Sequence, residues 1–296
     1  MGVFTSGKRP NARLPPRRRC LVRVTVVACP TGLALSLGRQ VEMTARLTLA
    51  AAAASETGLV RENNEDAAYS GRWLFAVADG LGGHAAGEVA SAAVIESLSS
   101  HDAEVAPDIL LETFGLAIAE ANREVARRVA VDPSRKGMGT TLTAMLWSGD
   151  YAALAHIGDS RAFRLREGRL HQITEDHTIG KLVSDADFLA PVLSRHLDGR
   201  PDRSPDLSLR ELRVGDRYLL CSDGLSPVVN SVAIRGVLVS APTPPEAVRE
   251  LSALVEEAGG PDNFTMVVID VRMADGPLEL AEPITLGSAS ARSVAH

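Results

Sequence analysis

The sequence predicts an α+β protein built as a layered sandwich, and three features of the chain point to this class. Segments with apolar residues at helical spacing come in two pairs, one before and one after a run of short strands. The short strands are separated by turn dipeptides at close intervals, which is typical of antiparallel pairing. A single strand follows the second helix pair, whereas a doubly wound parallel sheet would alternate strands and helices along the chain.

The first part of the chain contains two predicted strands and the first helix pair. In order, these are a weakly alternating strand at 44–52, a buried strand at 73–78, and helices at 84–98 and 107–131. The buried strand is a compact apolar run that stops at the turn dipeptide Asp79-Gly80. The second helix begins with Pro107, which a helix tolerates in its first turn.

A strand meander and a second helix pair make up the rest of the predicted fold. The meander strands are 140–147, 151–157, 162–166 and 170–173. Residues 174–205 are polar and irregular, with a short helix near 179–183. The remaining elements are a strand at 216–221, helices at 228–239 and 245–257, and a closing strand at 264–271.

The composition excludes several classes of protein. The chain has 296 residues and is 45% hydrophobic, so it can bury a core, while an aromatic share of 4% argues against a base-stacking platform. Residues 1–42 carry a net charge of +7, so the whole-chain value of −6 leaves −13 for the remainder. Such an acidic globule is a poor partner for nucleic acid but can collect divalent cations.

Cysteine usage and hydropathy predict a cytoplasmic protein without a membrane span. The three cysteines form no CxxC pair and are odd in number, which excludes a disulfide framework and a zinc knuckle. A reducing cytoplasm is the simplest interpretation. No apolar run reaches the 18 or more residues that would span a bilayer.

The two ends of the chain differ in composition from the middle. Residues 1–42 are predicted to be a leader that is either disordered or not translated, with Met43 as the true start. Their basic residues precede an apolar stretch at 21–37, as in a signal peptide, but Arg23, Pro30 and Gly32 interrupt it. Residues 43–272 form the predicted folded domain. Residues 273–296 are rich in Ala, Gly, Ser and Pro and are predicted to be a disordered tail.

Acidic residues recur at the predicted strand ends. The strand-end acids are Asp79, Asp159 and Asp223, each beside a glycine, with Asp262 just before a strand and Glu65-Asp66 at the start of another. Carboxylates that project beyond one sheet edge build an oxygen-rich site suited to Mg²⁺ or Mn²⁺. The shortage of clustered His and Cys argues against zinc. Because Asp-Gly is also a common turn dipeptide, the pattern alone leaves both a turn and a ligand role open.

The glycine-rich stretch at 80–85 matches G-x-G-x-x-A, a pattern of dinucleotide-binding loops. That pattern requires a strand after the helix, ending in an acid that binds ribose. Here a second helix follows, and no GK[ST] is present for a P-loop. Both nucleotide-binding interpretations are therefore disfavoured.

Six segments together carry a family resemblance. They are GLVRENNED (58–66), ADGLGGHAAGE (78–88), GMGTTL (137–142), HIGDSR (156–161), LCSDGL (220–225) and GPDN (260–263). With these segments in this order, the chain resembles the type 2C metal-dependent protein phosphatases (the PPM family), most closely their bacterial Ser/Thr members. The resemblance implies a four-layer α-β-β-α sandwich of two antiparallel sheets flanked by helices, with 43–272 as the catalytic domain.

The resemblance also implies a metal centre with two Mn²⁺ or Mg²⁺ ions and a third, weaker one. Asp79 would bridge the two core metals, and the Gly80 carbonyl would bind one of them. Asp223 would bind the first metal, and Asp262 would complete the same cluster. Asp159 resembles the acid that helps to hold the third metal.

Four further residues are assigned by the resemblance. Arg61 matches the arginine that grips the substrate phosphate, and Glu65 and Asp66 match acids that hold metal-bound waters. His84 is the candidate catalytic acid, because it lies close to the metal-binding segment in sequence. A helix N-terminal packing or capping role for His84 is equally open.

The implied function is hydrolysis of phosphoserine and phosphothreonine on proteins by direct attack of a metal-bridging water. The protein would act as a monomer on phosphorylated proteins and would oppose bacterial Ser/Thr kinases. One alternative is a pseudophosphatase that binds phosphoproteins; loss of a metal aspartate would favour it, and all three core aspartates are present. A second alternative is altered substrate choice, as in stress-response phosphatases, because the flap segment at 175–199 is short. Those phosphatases generally lack the Arg-x-x-Asn-Glu-Asp segment, which is present here at 61–66.

Overall fold

The computed structural model describes residues 46–82, 86–179, 192–274 and 282–290, and every structural statement below concerns these ranges. The strands are, in order, β1 (Leu47–Glu56), β2 (Asp66–Ser70), β3 (Leu74–Leu81), β4 (Gly139–Thr140), β5 (Leu142–Ser148), β6 (Tyr151–Ile157), β7 (Arg161–Arg166), β8 (Arg169–Gln172), β9 (Thr178–Ile179), β10 (Val192–Leu193), β11 (Asp206–Glu211), β12 (Arg217–Cys221), β13 (Phe264–Met273) and β14 (Ile284–Gly287). The helices are α1 (Ala86–Ser99), α2 (Leu110–Val131), α3 (Ser231–Ser240) and α4 (Pro244–Glu257), with a short 3₁₀ turn at Pro133–Arg135.

The strands form two large antiparallel sheets. The first sheet has the order β1-β13-β12-β7-β8, and the second has the order β11-β6-β5-β3-β2-β14, with β4 beside β3. A separate ribbon pairs β9 with β10. Helices α1 and α2 pack on the second sheet, whereas α3 and α4 pack on the first. The predicted fold class is therefore confirmed.

Alternation along the central strands separates two cores. Tyr218 and Leu220 of β12 belong to the apolar cluster between the sheets, which continues to α1 and α2. Leu219, between them in sequence, belongs to a second cluster that includes Leu251 of α4. Because successive side chains of a strand point to opposite faces, a strand buried on both faces contributes to both cores.

Local capping fixes where the second helix pair begins. The Thr243 hydroxyl accepts a hydrogen bond from the Glu246 backbone N–H and donates one to the Glu246 carboxylate at 2.7 Å. Thr243 is therefore a side-chain N-cap, and Pro244 occupies the first turn, where its missing N–H costs nothing. At the start of α3, the Asn230 side chain accepts from the N–H groups of Val232 and Ala233. No helix in the described ranges combines the length and apolar character needed to cross a membrane.

The predicted meander is divided between the two sheets. Strands β5 and β6 pair in the second sheet, while β7 and β8 pair in the first. The chain crosses at Gly158, whose φ is +118° and where an added Cβ would lie 2.5 Å from the Thr141 side chain. Only glycine suits this crossing, and it leaves Asp159 at the edge where the sheets meet.

Part of the segment predicted to be a disordered tail is ordered. Strand β14 pairs with β2, and Ala289 just after it is 3% exposed. Its small-residue composition favours disorder, but pairing with a distant strand edge overrides that local preference. Strand β11, on the other edge of the same sheet, was also missed, because its exposed face makes it polar. The predicted leader at 1–42 lies outside the described residues.

Candidate metal centre

The strand ends bring the predicted acidic residues to one edge of the sandwich. Asp66 and Asp79 are directly opposite each other across β2 and β3. Asp159 follows β6, Asp223 follows β12, and Asp262 precedes β13. Two sheets thus contribute carboxylates to the same edge.

These residues line a pocket with a volume of about 150 Å³. The lining residues are Arg61, Glu65, Asp79, Gly80, Leu81, Asp159, Leu193, Asp223, Asp262 and Asn263. Seven of the nine predicted site residues are therefore brought together. Asp66 is not in the lining but is buried beneath it, at 1% exposure. His84 lies outside the described residues, so its role stays a prediction.

The pocket is strongly anionic, with five carboxylates against one guanidinium among the described lining residues. Burial raises the pKa of Asp79 well above its ordinary value, and the neighbouring Asp66 and Asp223 raise it further. Burial, with a contribution from Asp223, raises the pKa of Asp159 to about 6. Carboxylates that resist ionisation in this way gain most from a bound cation, because it replaces repulsion with attraction.

The Asp66 carboxylate is fixed by a hydrogen bond from the Ser222 hydroxyl. The Ser222 Oγ–H donates to Asp66 Oδ2 at 2.7 Å, and the same Oγ accepts from the Thr265 backbone N–H at 3.0 Å. Burial raises the pKa of Asp66 to about 7, while the hydrogen bond from Ser222 opposes this shift. Ser222 thus joins Asp66 of the second sheet to β13 of the first.

Asn263 lines the pocket, although no role was predicted for it from the sequence. Its side-chain amide donates to the carbonyls of Thr57 and Asn63, and its Oδ1 accepts from the Glu65 N–H at 2.9 Å. It therefore fixes the loop that carries Arg61 and Glu65 against the start of β13. Asn263 could have been found from its place beside Asp262 in the GPDN segment.

Two threonines position Asp79 in a similar way. Thr141 Oγ1 accepts from the Asp79 N–H at 3.0 Å, and Thr140 Oγ1 donates to the Asp79 carbonyl at 2.9 Å. Both are fully buried. They come from the GMGTTL segment, which contributes to the family resemblance but whose residues were predicted to have no role in the site. Their side chains leave Asp79 little backbone freedom at the end of β3.

Arg61 lies at the mouth of the pocket. Its Nη2 donates to Asp262 Oδ2 at 2.8 Å, and its side chain is 55% exposed. The Asp262 carboxylate raises the pKa of the Arg61 guanidinium, so the charge is permanent at any physiological pH. Asp262 Oδ1 accepts from the Asn263 N–H at 2.8 Å, which orients the carboxylate.

The donor set of the pocket fits a hard divalent cation. No histidine or cysteine occurs among the lining residues that the structure describes, which disfavours zinc. In the described part of the chain, no group of three or more acidic, His or Cys side chains is arranged so that it could hold a metal ion as it stands. Mg²⁺ commonly binds through one or two carboxylates and keeps several waters, so an open carboxylate cluster suits Mg²⁺ or Mn²⁺.

Cys221, the cysteine that the described ranges contain, is not a nucleophile. Cys221 is fully buried in β12, and burial raises its pKa to about 12. A thiol in this state stays protonated at neutral pH and is unreactive. His156 is also a structural residue, because its two ring nitrogens contact Thr143 Oγ1 at 3.0 Å and the Glu175 carbonyl at 2.9 Å.

The chain is similar in sequence to known bacterial protein phosphatases. Residues 59–259 match the family model described as protein phosphatase 2C. The chain is 44% identical over 254 residues to the serine/threonine protein phosphatase PstP of Mycobacterium tuberculosis, covering 82% of this chain and 49% of that protein. It is 28% identical to the protein phosphatase PhpP of Streptococcus pneumoniae over 239 residues, covering 75% of this chain and 97% of PhpP.

Among solved structures, the fold is similar to the PstP catalytic domain in complex with two manganese ions. The TM-score is 0.71 at 46% identity, covering 76% of this chain and 99% of that one. The present chain spans about half the length of the mycobacterial relative that it matches.

Proposed function

This chain belongs to the protein phosphatase 2C family, within its bacterial Ser/Thr branch, and we propose that it removes phosphate from phosphoserine and phosphothreonine side chains of proteins. The observation that carries the proposal is the pairing of two features in one pocket. A carboxylate cluster with raised pKa values lies beside an exposed arginine at the mouth. The cluster can hold metals, and the arginine can hold the phosphate.

The metal-binding residues follow from the cluster. Asp79, the Gly80 carbonyl, Asp223 and Asp262 would hold two Mn²⁺ or Mg²⁺ ions, and Asp159 would contribute to a third, weaker site. The manganese-bound PstP structure supports this choice of metal. Bound metals of this kind act as Lewis acids that activate water and offset the charge of the phosphoryl oxygens.

Arg61 binds the substrate phosphate in this proposal. A guanidinium presents parallel N–H donors to two phosphoryl oxygens and keeps its charge throughout the reaction. In the structure it is paired with Asp262 at 2.8 Å. Because Asp262 takes up only Nη2, the other N–H donors of the guanidinium would bind the phosphate in this proposal.

Water in the pocket is oriented by acids on the adjoining loop. The Glu65 side chain lines the pocket, and its backbone is fixed through Asn263. Asp66, held by Ser222, presents its carboxylate from beneath. The leaving side-chain oxygen needs a proton, for which His84 is the candidate donor in this chain.

The biological setting is part of the proposal. We place the protein in the cytoplasm as a monomer, where it would oppose bacterial Ser/Thr kinases by acting on phosphorylated proteins. Residues 43–272 would form the catalytic domain together with β14, which pairs with β2 from outside these bounds. The named relatives are bacterial Ser/Thr phosphatases, which supports the substrate class.

The test is release of phosphate from a phosphothreonine peptide by the full chain, with Mn²⁺, with Mg²⁺ and with EDTA. We expect release with either metal and none with EDTA. The Asp79→Asn variant should lose the activity, while Asp108→Asn, a change outside the pocket lining, should keep it. Phosphopeptide binding by folded protein without hydrolysis in either metal would instead identify a pseudophosphatase.

A further inference from the structure

The C-terminal segment at 282–290 lies beyond the family-model match, which ends at residue 259. It nevertheless contacts the chain at the predicted site residues Glu65 and Asp66. Strand β14 pairs with β2 so that Gly287 lies opposite Ala67, and the Ser288 backbone N–H donates to the Asp66 carbonyl at 2.8 Å. The segment therefore touches the backbone of a predicted site residue directly.

A second contact runs through a buried serine of α1. Ser91 Oγ lies 2.5 Å from the Glu65 carbonyl and 2.8 Å from Ser288 Oγ, and Ser91 is fully buried. Carbonyls can only accept, and that of Glu65 is nearer to Ser91 Oγ than those of Gly87 at 3.2 Å and Glu88 at 3.4 Å, so the Ser91 proton goes to Glu65. The Ser288 hydroxyl then donates to Ser91, giving a chain from Ser288 through Ser91 to Glu65. Such chains reinforce each bond within them.

The close approach of β14 is built into the sequence. At Gly287, φ is +67° and an added Cβ would lie 2.2 Å from the Asp66 carbonyl oxygen and 2.6 Å from Ser55 Oγ. A side chain there would push the segment away from β2. Ala289 anchors the other side of the contact by joining the main apolar cluster.

We propose that Ser288 is a positioning residue for the metal site and acts through Ser91 on the Glu65-Asp66 backbone. The proposal rests on the proposed function, in which Glu65 and Asp66 orient water beside the metals. Both carbonyls of this pair accept hydrogen bonds that originate outside the loop. Without the Ser288 hydroxyl, the bond from Ser91 to the Glu65 carbonyl loses the donor that reinforces it, so the Glu65 backbone is held less firmly and the site binds metal less tightly.

The test compares Ser288→Ala with two matched variants of the full chain. Mn²⁺ binding is measured by calorimetry without substrate, and the Mn²⁺ concentration for half-maximal phosphopeptide hydrolysis is measured beside it. We expect Ser288→Ala to weaken Mn²⁺ binding by about three- to tenfold, the effect of one lost hydrogen bond. The Mn²⁺ concentration for half-maximal hydrolysis should rise by the same factor. The maximal rate at saturating Mn²⁺ should stay within about twofold, because no group that touches substrate is removed.

Two controls separate positioning from general stability. Ser288→Thr keeps a hydroxyl and should restore Mn²⁺ binding. Ser290→Ala removes a hydroxyl that bonds to the Gly287 carbonyl within its own turn, at 2.8 Å, and should leave Mn²⁺ binding unchanged. In a double-mutant cycle, Ser288→Ala should add little to Ser91→Ala, because the chain of hydrogen bonds is already broken.

Mn²⁺ binding by Ser288→Ala within twofold of wild type, with only a lower Tm, would overturn the inference and leave β14 a purely stabilising strand. Equal weakening by Ser290→Ala would overturn it as well. The calorimetric readout does not depend on hydrolysis. A wild-type chain that binds Mn²⁺ but hydrolyses no phosphopeptide would thus refute the proposed function and still decide the role of Ser288.

Discussion

Arg61 Nη2 lies 2.8 Å from Asp262 Oδ2, so the arginine of the pocket is paired with one of its acids. The pair joins the two functions proposed for the pocket, because Arg61 is the proposed phosphate-binding residue and Asp262 a proposed metal ligand. A cation bound at Asp262 would compete with the Arg61 guanidinium for this carboxylate. This relationship yields a prediction in which the two functions change in opposite directions.

Replacing Arg61 should impair catalysis but not metal binding. We expect Arg61→Ala to lower kcat/KM for a phosphopeptide by on the order of 100-fold, since a charge-assisted bidentate contact is lost. Mn²⁺ binding should be unchanged or slightly tighter, because Asp262 no longer has a competing cation. Arg213→Ala, an exposed arginine outside the pocket, is the control. Weaker Mn²⁺ binding by Arg61→Ala would contradict the assignment.

Replacing Asp223 should stabilise the metal-free protein while removing its response to metal. Burial raises the pKa of Asp223, and Asp262 raises it further, so the ionised cluster destabilises the fold. We expect Asp223→Asn to raise stability in EDTA, because it removes a charge that burial and the neighbouring Asp262 disfavour. The wild type, in contrast, should gain Tm on addition of Mn²⁺ and the variant should not. An equal Mn²⁺-induced rise in Tm for both proteins would exclude Asp223 as a ligand.

Asp270 forms a buried ion pair with Arg217 and a more exposed one with Arg272, and the buried pair should contribute more to the free energy of unfolding. Arg217 binds Asp270 through two hydrogen bonds and donates to the carbonyls of Leu238 and Ala241 at the end of α3. We expect Arg217→Met to cost about 3–5 kcal/mol, because Asp270 keeps its buried charge without this partner. Arg272 also contacts Asp270 but is 46% exposed, so Arg272→Met should cost less than about 1 kcal/mol. Urea unfolding of the two variants measures this difference, and equal losses would refute it.

His156 should make stability fall in acid. Burial lowers its pKa to about 4 from 6.5, and the nearby His177 contributes, while Asp206 and Asp176 oppose the shift. The unfolded chain takes up this proton below pH 6.5, but the folded chain does so only near pH 4. Stability from neutral His156 is therefore present above pH 6.5 and is lost between pH 6.5 and 4, by about 3 kcal/mol.

This pH effect is isolated by comparison with a variant that cannot titrate. The unfolding free energy of wild type minus that of His156→Gln should fall as pH is lowered from 7 to 4. His171→Gln, at an exposed histidine of β8, is the comparison for the loss of a surface histidine. A His156 difference that does not depend on pH would show that this group titrates normally in the folded state.

The acids of the site could be predicted from the sequence, but their supports could not. Asp79 and Asp223 follow apolar strand runs directly, so local pattern places them at strand ends. The contacts of Ser222 with Asp66 and of Asn263 with Glu65 depend on how distant strands are brought together. No local periodicity encodes such long-range partners.

The difference between local signals and long-range contacts also explains where the predicted fold was wrong. Helices α3 and α4 carry their own start signals in Asn230 and Thr243, and they were predicted to within about three residues. Strand β14 has no comparable signal, since it is ordered by pairing with β2. The division of the meander between two sheets likewise depends on one crossing at Gly158, where a local turn and a sheet-to-sheet crossing look alike in sequence.

The most direct test of the central claim is a Mn²⁺ titration of the full chain that follows metal binding and phosphothreonine-peptide hydrolysis in parallel. If the carboxylate cluster is the catalytic metal site, hydrolysis should rise over the same Mn²⁺ range as binding, and Asp223→Asn should lose the activity and weaken the binding together. Hydrolysis by the wild type that persists in EDTA, or Mn²⁺ binding that is unchanged in Asp223→Asn, would contradict it.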